Sequence, residues 1–250
     1  MSTRRVVLKA SDVAAIIGRH TYKPRQEIFD EYWKKVSPDT FTGRTKKDRA
    51  IEALGASEEA RQVLAKAVAH HAADSSDVQK VFEAARDAIN LDSKLDQAQK
   101  TEVIEHLRSK VYTTHGTRTE DNTSDKVSKE QNVRLHRDNT MYTLEIGKWS
   151  EFEFVICGRI DRIEEAPDGS KVLVEIKNRA NRLFRRVVEY EQIQVQVYLQ
   201  MLGLIHARLV EQYNNQVLSH DITRDEEMWQ NVILRGVEEF CQELANVMRP

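Results

Sequence analysis

The sequence predicts an α/β chain, a central mixed β-sheet with helices on both sides and a helical insert. Three observations point there. Strand-like alternation is confined to Met141–Ile222. Helical periodicity flanks and interrupts that region, at 10–35, 190–204 and 225–244. Residues 50–111 are rich in alanine, with one glycine and no proline. The expected division is 1–42, N-terminal helices of the main domain; 43–111, helical insert; and 112–250, the core.

At 250 residues the chain can form one large domain, or a domain with an insert. Charged residues make up 31%, so the surface should be well solvated. The formal net charge is only −2, so a nucleic-acid contact needs a local basic patch. Two cysteines, Cys157 and Cys241, exclude a four-cysteine cluster. Such sparse use fits a reducing, intracellular setting (cytoplasm or nucleus) and not a secreted protein. No signal-peptide pattern and no long apolar run occur, so no membrane span is expected.

Taken in order, ASDVAAIIG (10–18) reads as a short helix with Ser11 as N-cap and Gly18 as C-cap. Residues 26–35 form a second amphipathic helix carrying Ile28, Tyr32 and Trp33. GRTKKDR (43–49) reads as a solvated basic loop. Across 50–111 we expect two or three helices, with starts at Ser57, Ser76 and Ser93. His70 and His71 are adjacent, hence on different helical faces and unsuited to joint metal ligation. HGTRTEDNTSDKVSKE (115–130) is weakly helical and acidic.

Strands are expected at Met141–Gly147 and Glu151–Cys157. CGRIDRIEEAPDGSKVLVEIK (157–177) then reads as two strands joined by a turn at 166–170. Glu175 and Lys177 alternate onto one face of the second strand, and antiparallel pairing can bring Asp161 beside them. Mixed charges on an open sheet face are usually bland. Here Val172, Leu173, Val174 and Ile176 mark a strand covered on both faces, where buried charges need a reason. Five of the ten residues 177–186 are Lys or Arg and none is acidic, the densest basic run in the chain. Residues 190–204 alternate locally but end in an apolar tail and Gly203, which favours a helix. His206–Tyr213 and Gln216–Ile222 read as a hairpin across Asn214-Asn215. A last amphipathic helix starts at Thr223 or Asp225.

The order Gly158-x-x-Asp161, Glu175-x-Lys177, Gln194-x-x-x-Tyr198 resembles the PD-(D/E)XK nuclease superfamily. With ASDVAAIIGRHTY (10–22) and Gly116-x-x-x-Glu120 it resembles the YqaJ and lambda-exonuclease group, RecB-related nucleases of viral or phage recombination. The resemblance covers 4–20 and 115–204 and implies a restriction-endonuclease-like core. It implies metal-dependent hydrolysis of DNA, with Mg²⁺ or Mn²⁺ held by Asp161, Glu175, the Ile176 carbonyl and Glu120. Lys177 would orient the nucleophile, and Gln194 and Tyr198 would position Lys177 or the backbone. Arg4, or equally Arg5, and Ser11 would hold the DNA phosphate end, while Arg179, Arg182, Arg185 and Arg186 would grip the backbone. The implied action is 5′-to-3′ exonuclease cleavage at free duplex ends in recombination or repair. A single-strand annealing protein and a homo-oligomer are implied partners. The alternatives are an endonuclease of the same fold or a non-catalytic nucleic-acid-binding module.

Overall fold

The computed structural model describes residues 3–72, 74–131, 133–165 and 169–249. It is a mixed α/β chain, and its strands fall into two mixed sheets in place of one. The first sheet has the order β1 (Arg4–Lys9), β4 (Phe152–Gly158), β3 (Tyr142–Trp149), with β1 parallel and β3 antiparallel to β4. The second runs β2 (Leu135–Arg137), β5 (Arg162–Glu165), β6 (Lys171–Asn178), β7 (His206–Tyr213), β8 (Gln216–Thr223). Its neighbours are antiparallel except β6 and β7, which run parallel.

The stretch expected as one strand into Asp161 is therefore broken. β4 ends at Gly158 in the first sheet, and β5 begins at Arg162 in the second. Asp161 lies in the crossing between them. Of the expected turn at 166–170, residues 166–168 lie outside the described residues; Gly169 has φ +82°.

A short 3₁₀ turn, Ala10–Asp12, leads from β1 into α1 (Val13–Ile16). Ser11 does not cap that helix; it sits inside the 3₁₀ turn, which has no side-chain cap. Gly18 closes the segment with φ +73°, as its glycine suggested. α2 (Arg25–Val36) follows. The basic 43–49 run is partly helix: Thr45 and Asp48 form a reciprocal cap at the head of α3 (Lys46–Ala56). Three of its four cations are paired, Arg44 with Glu52, Lys46 with Glu105 and Arg49 with Glu102.

α4 (Glu58–Ala69) is capped by Ser57, as expected, whereas α5 (Ser75–Leu91) is capped by Asp74 and not Ser76. α6 (Gln97–Gln131) is one continuous helix of 35 residues. It runs straight through the expected boundary at 111/112 and contains both Gly116 and Glu120. Ser93 starts nothing; Asp96 and Gln99 exchange hydrogen bonds at the head of α6. These helices pack around their own apolar cluster, including Leu54, Val78, Phe82, Ile89, Val103 and Leu107.

The main core joins the first sheet to α1, α2, α7 (Glu189–Leu202) and the C-terminal helix, through Leu8, Ile16, Phe152, Phe154, Ile193 and Phe240. β6 is covered on both faces. Leu173 belongs to this main core, whereas Val174 and Ile176 pack with Val127 of α6 and Val210 of β7. α7 is the crossover from β6 to its parallel neighbour β7, which places it over the face carrying Glu175 and Lys177. The hairpin across Asn214-Asn215 forms as expected, with Asn214 at φ +51°. The last helix begins at Asp225, whose carboxylate accepts from the Met228 N–H. α8 (Glu226–Met228) passes through a π-helical stretch, Trp229–Leu234, into α9 (Arg235–Val247), which shifts the buried face to include Trp229 and Ile233. No helix among the described residues is long and apolar enough to cross a membrane.

Candidate active site

The site forms where the first sheet hands the chain to the second. Gly158 permits the approach that builds it: a Cβ there would lie 2.6 Å from Tyr198 Cε1 and 3.0 Å from the Ala10 Cβ. Three residues on, Asp161 turns its carboxylate onto β6, where Oδ2 accepts from the Ile176 N–H at 2.7 Å. On β6, Lys177 Nζ donates to Glu175 Oε1 at 2.8 Å and to Gln194 Oε1 at 3.1 Å. Gln194 Nε2 donates back to Glu175 Oε1 at 3.0 Å and lies 3.5 Å from the Tyr198 hydroxyl. Asp161, Glu175, Lys177, Gln194 and Tyr198 thus form one constellation, as their order in the sequence suggested.

Its electrostatics are those of an incomplete site. Glu175 is 3% exposed, and its Oε2 is buried with no hydrogen-bond partner. An unpartnered buried carboxylate oxygen is costly and calls for a cation or a donor. Burial, then the Glu175 charge, hold the Asp161 carboxyl well above the usual carboxylate range; Lys177 opposes that shift and Glu120 adds to it. Burial alone would lower Lys177, but Glu175 and Asp161 outweigh it and keep the ammonium charged. Burial and the Glu175 charge likewise raise the Tyr198 phenol, which stays protonated. Two carboxylates, one with a free buried oxygen, fit a hard divalent cation.

Glu120 stands at the edge of this group. Its Oε1 accepts at 2.9 Å from Nη1 of Arg162, a 3% exposed arginine that sequence reasoning passed over. The same Nη1 donates to the Asp161 carbonyl at 2.6 Å, and Arg162 Nε donates to Ser124 Oγ at 2.9 Å. Among the described residues, no three His, Cys, Asp or Glu side chains already converge as a ligand set. Glu120 is turned to Arg162 and not inward.

Two expected DNA contacts are placed elsewhere. Arg179 is 8% exposed: its guanidinium donates to both Glu191 oxygens and, at 2.8 Å, to Glu211 Oε2, and it lies over the Phe184 ring. It is an internal cross-link and not a phosphate contact. Glu211, fully buried, also accepts from the Phe184 and Arg185 N–H groups and so shapes the basic loop. Arg182, Arg185 and Arg186 remain exposed on that loop. Arg4 lies over Phe152 and donates to the Val36 carbonyl. It pairs with Phe152, at the opposite end of the strand pair from Gly158, about 16 Å along β1 from Lys9 at strand rise. Ser11 is exposed beside Ala10, at the site's end of the sheet.

Sequence reasoning also missed Asp12. It is 8% exposed, accepts from the Tyr32 hydroxyl at 2.9 Å and pairs with Lys23 at 2.8 Å, while Tyr32 accepts from the Lys9 N–H. A lone acid after a serine gives no periodic signal. Gln196 shows the bland reading of the glutamine stripe: it bonds only the Thr223 carbonyl and the Asp225 N–H, pinning α7 to the end of β8.

The family profile for the YqaJ-like viral recombinase domain matches residues 64–207, more than half of the chain. The chain belongs to that family. Membership makes this YqaJ-like protein a DNA nuclease of recombination by class, and a divalent metal ion goes with the class. Among solved structures it is similar to an alkaline exonuclease (LHK-Exo) from Laribacter hongkongensis, at 15% identity over 81% of this chain and 94% of that one, with a TM-score of 0.43. It is similar also to a phage-related exonuclease from Haemophilus somnus 129PT, at 12% identity over 98% of each chain, with a TM-score of 0.45. No curated protein sequence matches the YqaJ-like chain.

Proposed function

We propose that this YqaJ-like protein is a 5′-to-3′ exonuclease acting on free duplex DNA ends, with Mg²⁺ or Mn²⁺ as cofactor. The observation that carries the reading is the buried, unpartnered Oε2 of Glu175 beside Asp161 and a charged Lys177. Asp161, Glu175 and the Ile176 carbonyl would hold the cation, with Glu120 reaching it if released from Arg162. When bound, the cation lowers the pKa of water and offsets charge on the scissile phosphate.

The chain's own residues do the rest. Lys177 stays protonated, so it acts as a donor and not as a base. Held between Glu175 and Gln194, it points a fixed positive charge at the phosphate, where negative charge grows in the transition state. Gln194 fixes both Lys177 and Glu175, and Tyr198 backs Gln194 while filling the space above Gly158. Arg182, Arg185 and Arg186 hold the strand beyond the site. The polarity rests on the family resemblance; Ser11, exposed at the site's end of β1, is able to donate a hydroxyl to a terminal phosphate. An annealing protein as partner and self-assembly rest on the family resemblance alone.

The test is digestion of end-labelled linear duplexes, with 5′-phosphate or 5′-hydroxyl ends, and of closed circles, each with Mg²⁺, with Mn²⁺ and with EDTA. The expected result is metal-dependent loss of linear DNA only, faster from a 5′-phosphate, with 5′-end label released first. Nicking of closed circles would replace the exonuclease by an endonuclease.

A further inference from the structure

The loop joining α1 to α2 carries two aromatic rings that the core does not require. His20 stacks on Tyr190 of α7, with ring centroids 4.5 Å apart and planes inclined by 27°. Tyr22 sits edge-on to both, at 6.4 Å from His20 and 6.3 Å from Tyr190, and is 74% exposed. The group is held in place. The Tyr22 N–H donates to His20 Nδ1 at 3.1 Å, Arg19 pairs with Glu189 of α7 at 2.9 Å, and Lys23 is tied to Asp12. Accepting at Nδ1 makes the imidazole neutral, and burial, then the Lys23 charge, lower its pKa. No charge is therefore lost from water when a further ring covers it.

Position gives the group its meaning. Tyr190, Gln194 and Tyr198 follow one another at helical spacing along one side of α7. Tyr190 is thus one turn, about 6 Å, from the glutamine that grips Glu175 and Lys177. Its phenol is pushed up to about 12 by burial and by Glu191, with Arg179 and Lys177 acting against that. An exposed tyrosine, buttressed by two rings of which one lies a helical turn from the glutamine that holds Lys177, has the form of a stacking surface. Every base has a π-face, so such a surface is tolerant of sequence, as an end-processing enzyme requires.

We propose that His20, Tyr22 and Tyr190 form a platform on which an unpaired base at the DNA end stacks, holding the terminus open beside the nuclease site. This rests on the nuclease reading above, and it adds a binding site for nucleobases to a site otherwise described for phosphate and metal.

The experiment uses the full chain and duplexes that carry, in the terminal nucleotides of one strand, a normal base, an abasic residue or 2-aminopurine. Wild type is compared with Tyr22→Ala, Tyr22→Phe and Tyr22→Trp. In EDTA, 2-aminopurine fluorescence should be quenched on binding by wild type, Tyr22→Phe and Tyr22→Trp, but not by Tyr22→Ala. With Mg²⁺, Tyr22→Ala should raise KM about ten-fold on normal ends and leave it unchanged on abasic ends. Equal effects of Tyr22→Ala on normal and abasic ends, or unaltered quenching, would overturn the platform. A wild type that quenches 2-aminopurine yet cuts no duplex with Mg²⁺ or Mn²⁺ would overturn the nuclease reading and leave the platform standing.

Discussion

Glu211→Gln tests whether the basic loop is built from within. Glu211 has no exposed surface, yet accepts four hydrogen bonds: Arg179 Nε and the Phe184 N–H at 2.8 Å, the Arg185 N–H at 3.0 Å, and His220 Nε2 at 2.8 Å. Breaking one partner of a buried ion pair costs about 3–5 kcal/mol. Arg179 keeps its two bonds to Glu191, and glutamine keeps one acceptor oxygen, so we expect the lower end, about 3 kcal/mol. That is a large share of the ~5–15 kcal/mol of a typical domain. Urea unfolding at pH 7 measures it.

The pH dependence has a definite sign. Burial pushes the Glu211 carboxyl up, but the Phe184 N–H, His220 and Arg179 outweigh it and hold it below the ordinary value near 4.5. Its contribution is then present above pH 4.5 and lost as pH falls through the folded value, so the gap between wild type and Glu211→Gln should close on acidification. DNA binding supplies the contrast. Removing a negative charge beside a basic loop would tighten binding if only net charge mattered; we expect weaker binding, because the loop loses its anchor. Equal stability of the two proteins, with tighter DNA binding by the mutant, would refute this account.

The other predictions are shorter. Asp161→Asn should cut metal-dependent cleavage by more than about a hundred-fold while the protein stays folded, and without metal it should melt no lower than wild type; thermal melts with and without Mg²⁺ should show a metal-induced rise in wild type alone. Changing Arg182, Arg185 and Arg186 together to Ala should reduce the slope of log K against log salt by about three, read from DNA-binding titrations across salt, and an unchanged slope would assign them to bare surface. Gly158→Ala places a Cβ 2.6 Å from Tyr198, so Tyr198 must move; we expect a loss of about 1–3 kcal/mol in urea unfolding and a fall in kcat larger than any change in DNA affinity.

The sequence made much of the site legible because its chemistry is spaced by local rules. Alternation placed Glu175 and Lys177 on one face of β6, and helical spacing placed Gln194 and Tyr198 on one side of α7. Asn214-Asn215 marked its hairpin directly. The break between the sheets was not legible: Gly158-Arg159-Ile160-Asp161 has no proline and only one glycine, and that glycine answers to Tyr198 and not to a turn. Nor was the buried charge web. Arg179 finds Glu191 and Glu211 at 12 and 32 residues' distance, a pairing that tertiary structure alone creates. So a run of five basic residues that reads as one surface divides into a lysine bound to Glu175 and Gln194, an internal strut and three exposed arginines.

The length of α6 bears on how the helical lobe serves the site. Its second half lacks an apolar stripe, which is why 115–130 reads as weakly helical. Polar bonds hold it, together with the single buried Val127. Thr123 Oγ1 donates to Asn178 Oδ1 at 2.6 Å, Asn178 Nδ2 donates to the Gly116 carbonyl at 3.1 Å, and Arg162 reaches Glu120 and Ser124. The first half of the same helix carries Val103, Leu107 and Val111 in the core of the lobe. A second tie comes from Ser75 at the head of α5, whose hydroxyl donates to the Arg179 carbonyl at 2.7 Å. The lobe is thus fastened both to the residue that leads into the basic loop and, through a rod roughly 50 Å long, to the glutamate at the edge of the site. A contact between the lobe and duplex DNA would bear on Glu120 without any hinge between them, because no break in the helix separates the two.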